Sequence, residues 1–163
     1  MGKLLALDVS LNCSGYAVLD YDKKGNISVL ENGHISNKSI PANRIGEKLV
    51  NIHKRITELF RKYEIDAVVR EKSFSNSHIG SGQKLQMSNG VVHEVAGGYG
   101  FEITEIAPTT IKKYITGNGK SDKSAVAEHL KKFVGERKYK TDDESDAVAV
   151  GITWLLQNKY ISM

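Results

Sequence analysis

The sequence predicts an α/β protein, a mixed five-stranded sheet flanked by helices. Three observations lead there. Three short apolar or alternating stretches follow one another closely in the first 35 residues, with turn residues between them. Apolar residues then recur at steps of four and three, the spacing of one helix face. Beyond residue 65, short apolar runs alternate with helical patterns, as expected where crossover helices bury the faces of a sheet.

The elements follow in order. Residues 4–8 form a short apolar strand, residues 14–20 alternate around Tyr16 and Val18, and residues 27–35 alternate again. The turn cluster Asp22-Lys23-Lys24-Gly25-Asn26 joins the last two, so the three strands predict an antiparallel meander. Ile45, Leu49, Ile52, Ile56, Leu59 and Tyr63 mark a helix over residues 44–63. Residues 65–69 form a strand ending at Arg70-Glu71, set parallel to the first strand through that helix. Residues 82–97 read as helix despite their glycines, and 101–106 as a further strand. Pro108 and Thr109 open a short helix that ends near Gly117. Ser121 is the expected cap of the next helix, which buries Val126, Leu130, Phe133 and Val134. Thr141 and Glu144 match a capping box at the head of a last helix reaching about residue 158.

Composition excludes several classes. The length of 163 residues fits a single domain over 1–163. No apolar run approaches the roughly 20 residues that span a bilayer. The N-terminus lacks the pattern of a signal peptide, so a cytoplasmic protein is expected, with no membrane partner. Cys13 is the only cysteine, which excludes an internal disulfide and a cysteine-built zinc site, and it reads as a small packed hydrophobe. The net charge of +4 is modest, but nine basic residues crowd positions 112–140, apart from the acids that carry the chemistry.

Those acids stand at strand ends. Asp8 and Glu71 each follow an apolar run that should be buried, and sites in open α/β sheets form at the carboxyl ends of strands. Arg70 adjoins Glu71 but points to the other face of its strand, so it is a poor partner. Asp143 and Asp146, three apart at the head of the last helix, share a face. Acids at a helix N-terminus are also favoured by the macrodipole and by capping, so the 142–146 cluster carries little weight alone. Buried carboxylates without partners neutralise, pair or bind metal. Four of them suit one or two Mg²⁺ ions, with Mn²⁺ able to substitute, and two such ions catalyse phosphodiester hydrolysis. Lys112, Lys113, Lys120 and Lys123 surround Gly117 and Gly119, where a backbone can approach a phosphate, and a helix N-terminus at Ser121 would add an anion site.

These residues together resemble the RuvC family of Holliday-junction resolvases, within the RNase H-like superfamily. LALDVSLNCSGYAVLD resembles the family's first hairpin, with its first catalytic Asp at Asp8. VVREKSF resembles the second motif, with catalytic Glu71 and an aromatic, Phe74, three residues on. IKKYITGNGKSDKSAV resembles the basic segment, with its lysines at Lys112 and Lys123, and DDESDAVAVG the last motif, with Asp143 and Asp146. Where bacterial members carry Pro-Gly after the first Asp, this chain has Val9-Ser10, a departure that points to a phage-encoded branch, and hence to host cytoplasm. The resemblance implies an RNase H-like fold, metal-dependent cleavage of four-way or other branched DNA, and a homodimer. Phe74 is then a base-stacking DNA contact, and the 82–97 helix, with Leu85, Met87, Val91, Val92 and Val95, the dimer interface. A helicase partner is not legible.

Rival readings are weaker. Gly119-Lys120-Ser121 matches the end of a P-loop, but the glycine the pattern needs at position 114 is Tyr. Actin-like ATPases use a similar first hairpin but need two such domains. His34, His53, His93 and His129 show no metal spacing, and His78 lies in the loop near Phe74. A non-catalytic junction-binding protein would keep the lysines but not need all four acids. A ribonuclease H-type enzyme acting on RNA–DNA hybrids shares the metal chemistry and remains the nearest alternative.

Overall fold

A computed structural model describes residues 1–73 and 79–163. The chain runs β1 (Gly2–Asp8), β2 (Cys13–Tyr21), β3 (Ile27–Ser36), α1 (Ile45–Lys62), β4 (Ala67–Glu71), α2 (Ile79–Gly98), β5 (Ile103–Ile106), α3 (Pro108–Thr116), α4 (Lys123–Val134) and α5 (Asp142–Gln157). The five strands form one sheet in the order β3-β2-β1-β4-β5. The first three are antiparallel neighbours, and β4 runs parallel to both β1 and β5. This is the mixed sheet expected, with α1 as the crossover that makes β1 and β4 parallel. No helix among the described residues is long and apolar enough to cross a membrane.

Strand alternation sends side chains to two apolar layers. Leu5, Leu7, Val18 and Val68 pack under α1 and α2 with Ile52, Ile56, Val92 and Val95. Leu4, Ala6, Ala17, Leu19 and Val69 pack under α5 with Ala147, Val148, Ile152 and Leu155. The α5 layer is thin because its contact residues are small. A Cβ on Gly151 would stand 2.8 Å from Leu19 Cδ1 and 3.1 Å from Ala6 Cβ. At the other end of the helix the approach is closer still. A Cβ on Gly15 of β2 would lie 1.9 Å from the backbone oxygen of Asp143.

Several sequence expectations need correction. Helix α4 is capped by Asp122, not Ser121: the Asp122 carboxylate accepts the Ala125 N–H at 2.8 Å. Ser121 Oγ is taken up by Thr116 Oγ1 at 2.6 Å and the Asn118 carbonyl at 2.8 Å. A carboxylate therefore already sits at that helix start, and the anion site expected there is absent. Strand β4 begins two residues late and includes Glu71. In α2, Val92 and Val95 belong to this chain's own core and Val91 packs half-buried against it, which leaves Met87 for an outer surface. Phe74 and His78 lie outside the described residues.

The Gly15 contact is backbone on one side and a helix's first turn on the other, so neither can yield cheaply. Gly15→Ala is expected to destabilise the fold by about 1–3 kcal/mol, the cost of overpacking. Urea unfolding checks this. An unchanged midpoint would mean that α5 slides freely on the sheet.

Candidate active site

Strand parity decides which carboxylates meet. Asp8 follows Leu4 and Ala6 onto the α5 face, and Glu71 follows Val69 onto the same face. Leu7 is paired with Arg70 across the parallel ladder, so Asp8 and Glu71 stand side by side at the carboxyl ends of their strands. Arg70 points the opposite way, as expected, and donates to His93 Nε2 at 3.0 Å and Glu105 Oε1 at 2.7 Å.

Helix α5 delivers the other two acids. Gly15 pairs with Asp8 in the β1–β2 ladder, so the helix turn that rests on Gly15 lies beside Asp8. The turn is fixed by Glu144, which is 2 % exposed. Its carboxylate closes the capping box with Thr141, as predicted. It also accepts from Asn32 Nδ2 at 2.8 Å and meets His34 Nδ1 at 3.1 Å, both on β3. Glu144 therefore turns inward to anchor the helix while Asp143 and Asp146 turn toward Asp8. Carboxylate oxygens of Asp8, Asp143 and Asp146 lie within 4.8 Å of one another. Glu71 falls outside that trio, but its charge still acts on Asp8.

The basic segment is less segregated from the acids than its sequence position suggests. Lys112 and Lys123 line a small cleft of about 90 Å³ together with Glu71 and Asp146. Lys123 Nζ is 3.3 Å from Asp146 Oδ2, with its side chain 76 % exposed. So exposed a pair adds little stability; its consequence is a positive charge at the mouth of the site. Lys113 and Lys120 do not line this cleft. Lys131 pairs with Glu128 and Glu136 instead, and Arg137 donates to Asn32 Oδ1. Of the histidines, His34, His53 and His93 meet carboxylates, and His129 Nδ1 lies 2.8 Å from the Ala125 carbonyl. Cys13 is half-buried, and burial with a hydrogen bond to Asp143 pushes its thiol up to about 11.

The loop after Asp8 is closed by two serines. Ser10 N–H donates to Ser14 Oγ at 3.0 Å, and Ser14 Oγ donates back to the Ser10 carbonyl at 2.7 Å. Val9 meanwhile packs into the core under α1.

The electrostatics are those of acids forced together. Burial, then Glu71, Asp146 and Asp143, pushes the Asp8 carboxyl up to about 8. Glu71 is raised by burial and by Asp146, with Lys123 and Lys112 acting against the rise. Asp146 is raised by burial too, and Lys123 opposes it. A set of hard oxygen donors whose like charges resist ionisation fits a divalent cation such as Mg²⁺ or Mn²⁺. No histidine or cysteine joins the trio among the described residues, so the donors do not favour zinc.

A titration follows from the Asp8 shift. An unfolded Asp titrates near about 3.9, while Asp8 holds its proton in the fold up to about 8. Between these values the folded, metal-free protein binds a proton that the unfolded chain has released, so stability falls as pH rises. Melting temperatures in EDTA across this range should fall more steeply for the wild type than for Asp8→Asn. Parallel curves would remove Asp8 as the source.

Comparison with known proteins places this geometry. A family model described as crossover junction endodeoxyribonuclease RuvC matches residues 4–154. The protein of that name from Orientia tsutsugamushi (strain Ikeda) is 32% identical over 151 residues, 92% of this chain and 92% of its own. The one from Ehrlichia chaffeensis is 28% identical over 150 residues, 92% of this chain and 94% of its own. Among solved structures, T. thermophilus RuvC in complex with Holliday junction substrate superposes with a TM-score of 0.87 at 19% identity, covering 98% of this chain and 96% of that one. The yeast mitochondrial Holliday junction resolvase Ydc2 superposes at 0.68 with 10% identity, covering 98% of this chain and 80% of that one. The shared architecture is the RNase H-like fold. With most of its length matched by the family model, this chain belongs to the RuvC family of crossover junction endodeoxyribonucleases.

Proposed function

We propose that this chain is a Mg²⁺-dependent endonuclease that resolves four-way DNA junctions as a homodimer in the cytoplasm. The observation that carries the reading is the trio of Asp8, Asp143 and Asp146 with Lys112 and Lys123 at its mouth, in a chain of this family. A solved relative of the same fold was captured with a Holliday junction substrate.

Asp8, Asp143 and Asp146 would hold the metal, with Glu71 completing the tetrad. A bound divalent cation supplies Lewis acidity to a phosphate and lowers the pKa of a bound water. The rest falls to the chain. Lys112 and Lys123 hold the scissile phosphate by charge and leave base identity unread. Lys123 also tempers the negative charge that the acids present to an incoming DNA strand. Hydrolysis breaks the bond between phosphorus and the 3′ oxygen, leaving a 3′-hydroxyl and a 5′-phosphate. Lys113 and Lys120 extend the basic surface, and Phe74 stacks on a base at the junction centre.

Two strands of a junction must be cut, and a twofold pair of sites matches that symmetry. The surface between α1 and α2 supports pairing. Leu49, Val50, Met87 and Val91 line an open apolar groove there, with Val50 51% and Met87 48% exposed. The nearest alternative substrate, an RNA–DNA hybrid, would be met by the same acids.

The test is cleavage of a labelled four-way junction, a matched linear duplex and an RNA–DNA hybrid, with Mg²⁺ and with EDTA. Symmetric nicks in the junction, dependent on metal and absent from the duplex, are expected. Asp146→Asn should lower the rate by about a hundred- to a thousandfold, the order of the loss when an electrostatic stabiliser is removed, while junction binding survives. Cutting of the hybrid alone would replace this reading with the ribonuclease one.

A further inference from the structure

The carboxylates have cations on a second flank. Lys112 and Lys123 stand beside Glu71 and Asp146. On the Asp143 side, the β1–β2 loop meets the start of α1, and here Lys48 is 5% exposed. Its Nζ donates to Asn12 Oδ1 at 2.6 Å, the one hydrogen bond of this three-donor ammonium among the described residues. No carboxylate pairs with Lys48 among the described residues. Buried charges are ordinarily paired, because leaving water costs them their hydration.

The position compounds the cost. Lys48 is the fourth residue of α1, at the positive end of the helix dipole, and the N-cap Arg44 offers no side-chain acceptor there. The arrangement is nonetheless firmly built. Asn37, fully buried, donates to the Leu11 carbonyl at 2.7 Å and the Lys48 carbonyl at 3.1 Å, tying loop, helix and the end of β3 together. Lys48, Asn12, Lys38 and Ser39 line an open cavity of about 460 Å³. The charge of Lys38 reaches Cys13, whose thiol hydrogen-bonds Asp143, so the cavity adjoins the acids. Two lysines, an amide, a hydroxyl and a helix N-terminus, with no acid lining the cavity, are complementary to an oxyanion.

We propose that this cavity seats a phosphodiester of the DNA strand next to the scissile one, on the side opposite Lys112 and Lys123. Lys48 and Lys38 supply charge, and Asn12 and Ser39 supply hydrogen bonds. The strand is then held on both sides of the carboxylates. The site rests on the DNA-cutting reading above.

The experiment is junction affinity against salt concentration in EDTA, for the wild type, Lys48→Met, Lys38→Ala and Lys123→Ala. Methionine keeps the buried stem of Lys48 and removes its charge. Each lost phosphate contact flattens the log–log slope by about 0.9, so a fourfold rise in salt should cost each variant about 3.5-fold less affinity than the wild type. A second reading needs no DNA: inorganic phosphate should raise the melting temperature of the wild type and not that of Lys48→Met. Wild-type slope and wild-type phosphate response in Lys48→Met overturn the site and make Lys48 structural, whatever its melting temperature. If Lys123→Ala alone flattens the slope, the cavity fails and the nuclease reading stands. If the wild type binds duplex as tightly as junction, junction selectivity fails, while the slopes on duplex still decide the cavity.

Discussion

The structure depends on one close approach, the first turn of α5 resting on the backbone of β2 at Gly15. No side chain fits between them, since a Cβ there would lie 1.9 Å from the Asp143 oxygen. Because Gly15 faces Asp8 across the ladder, the same contact that seats the helix brings Asp143 and Asp146 to Asp8. Packing and site assembly are thus a single event. The small residues along α5, Ala147, Ala149 and Gly151, continue the approach down the sheet.

Bringing like charges together costs free energy, and the fold meets that cost in two ways. It anchors the helix by a carboxylate that points elsewhere: Glu144 is held by Asn32, His34 and the capping box, so its charge is matched by donors. It also places cations at the rim, with Lys123 on Asp146 and Lys112 near Glu71. What remains unmatched is centred on Asp8, whose carboxyl is pushed up to about 8 by burial and by the neighbouring acids. A divalent cation held there would compete with the carboxyl's proton, which would couple metal binding to pH and to folding.

Much of this was legible in the sequence. Apolar runs ending in Asp8 and Glu71 put both acids at the carboxyl ends of their strands, and the Asp143–Asp146 spacing put the other pair on one helix face. The capping box located α5 because its hydrogen bonds are local. What stayed hidden depends on contacts between distant segments. Gly15 looks like any strand glycine until α5 is laid on it. Glu144 reads as a cap, and only the β3 pairing shows His34 and Asn32 reaching it. Lys48 carries no sequence signal, and its burial beside Asn12 shows only once loop and helix are brought together. Ser121 misled because Ser and Asp are both good caps and stand side by side, and the neighbouring Thr116 claimed the serine hydroxyl.

The most direct test of this account is the affinity of Mn²⁺ for Gly15→Ala against the wild type, by calorimetry at pH 8 with circular dichroism confirming the fold. The variant keeps all four acids and loses only the close approach. A fall in affinity of tenfold or more is the result the account predicts. Equal affinities would contradict it, since the carboxylates would then meet without the contact at Gly15.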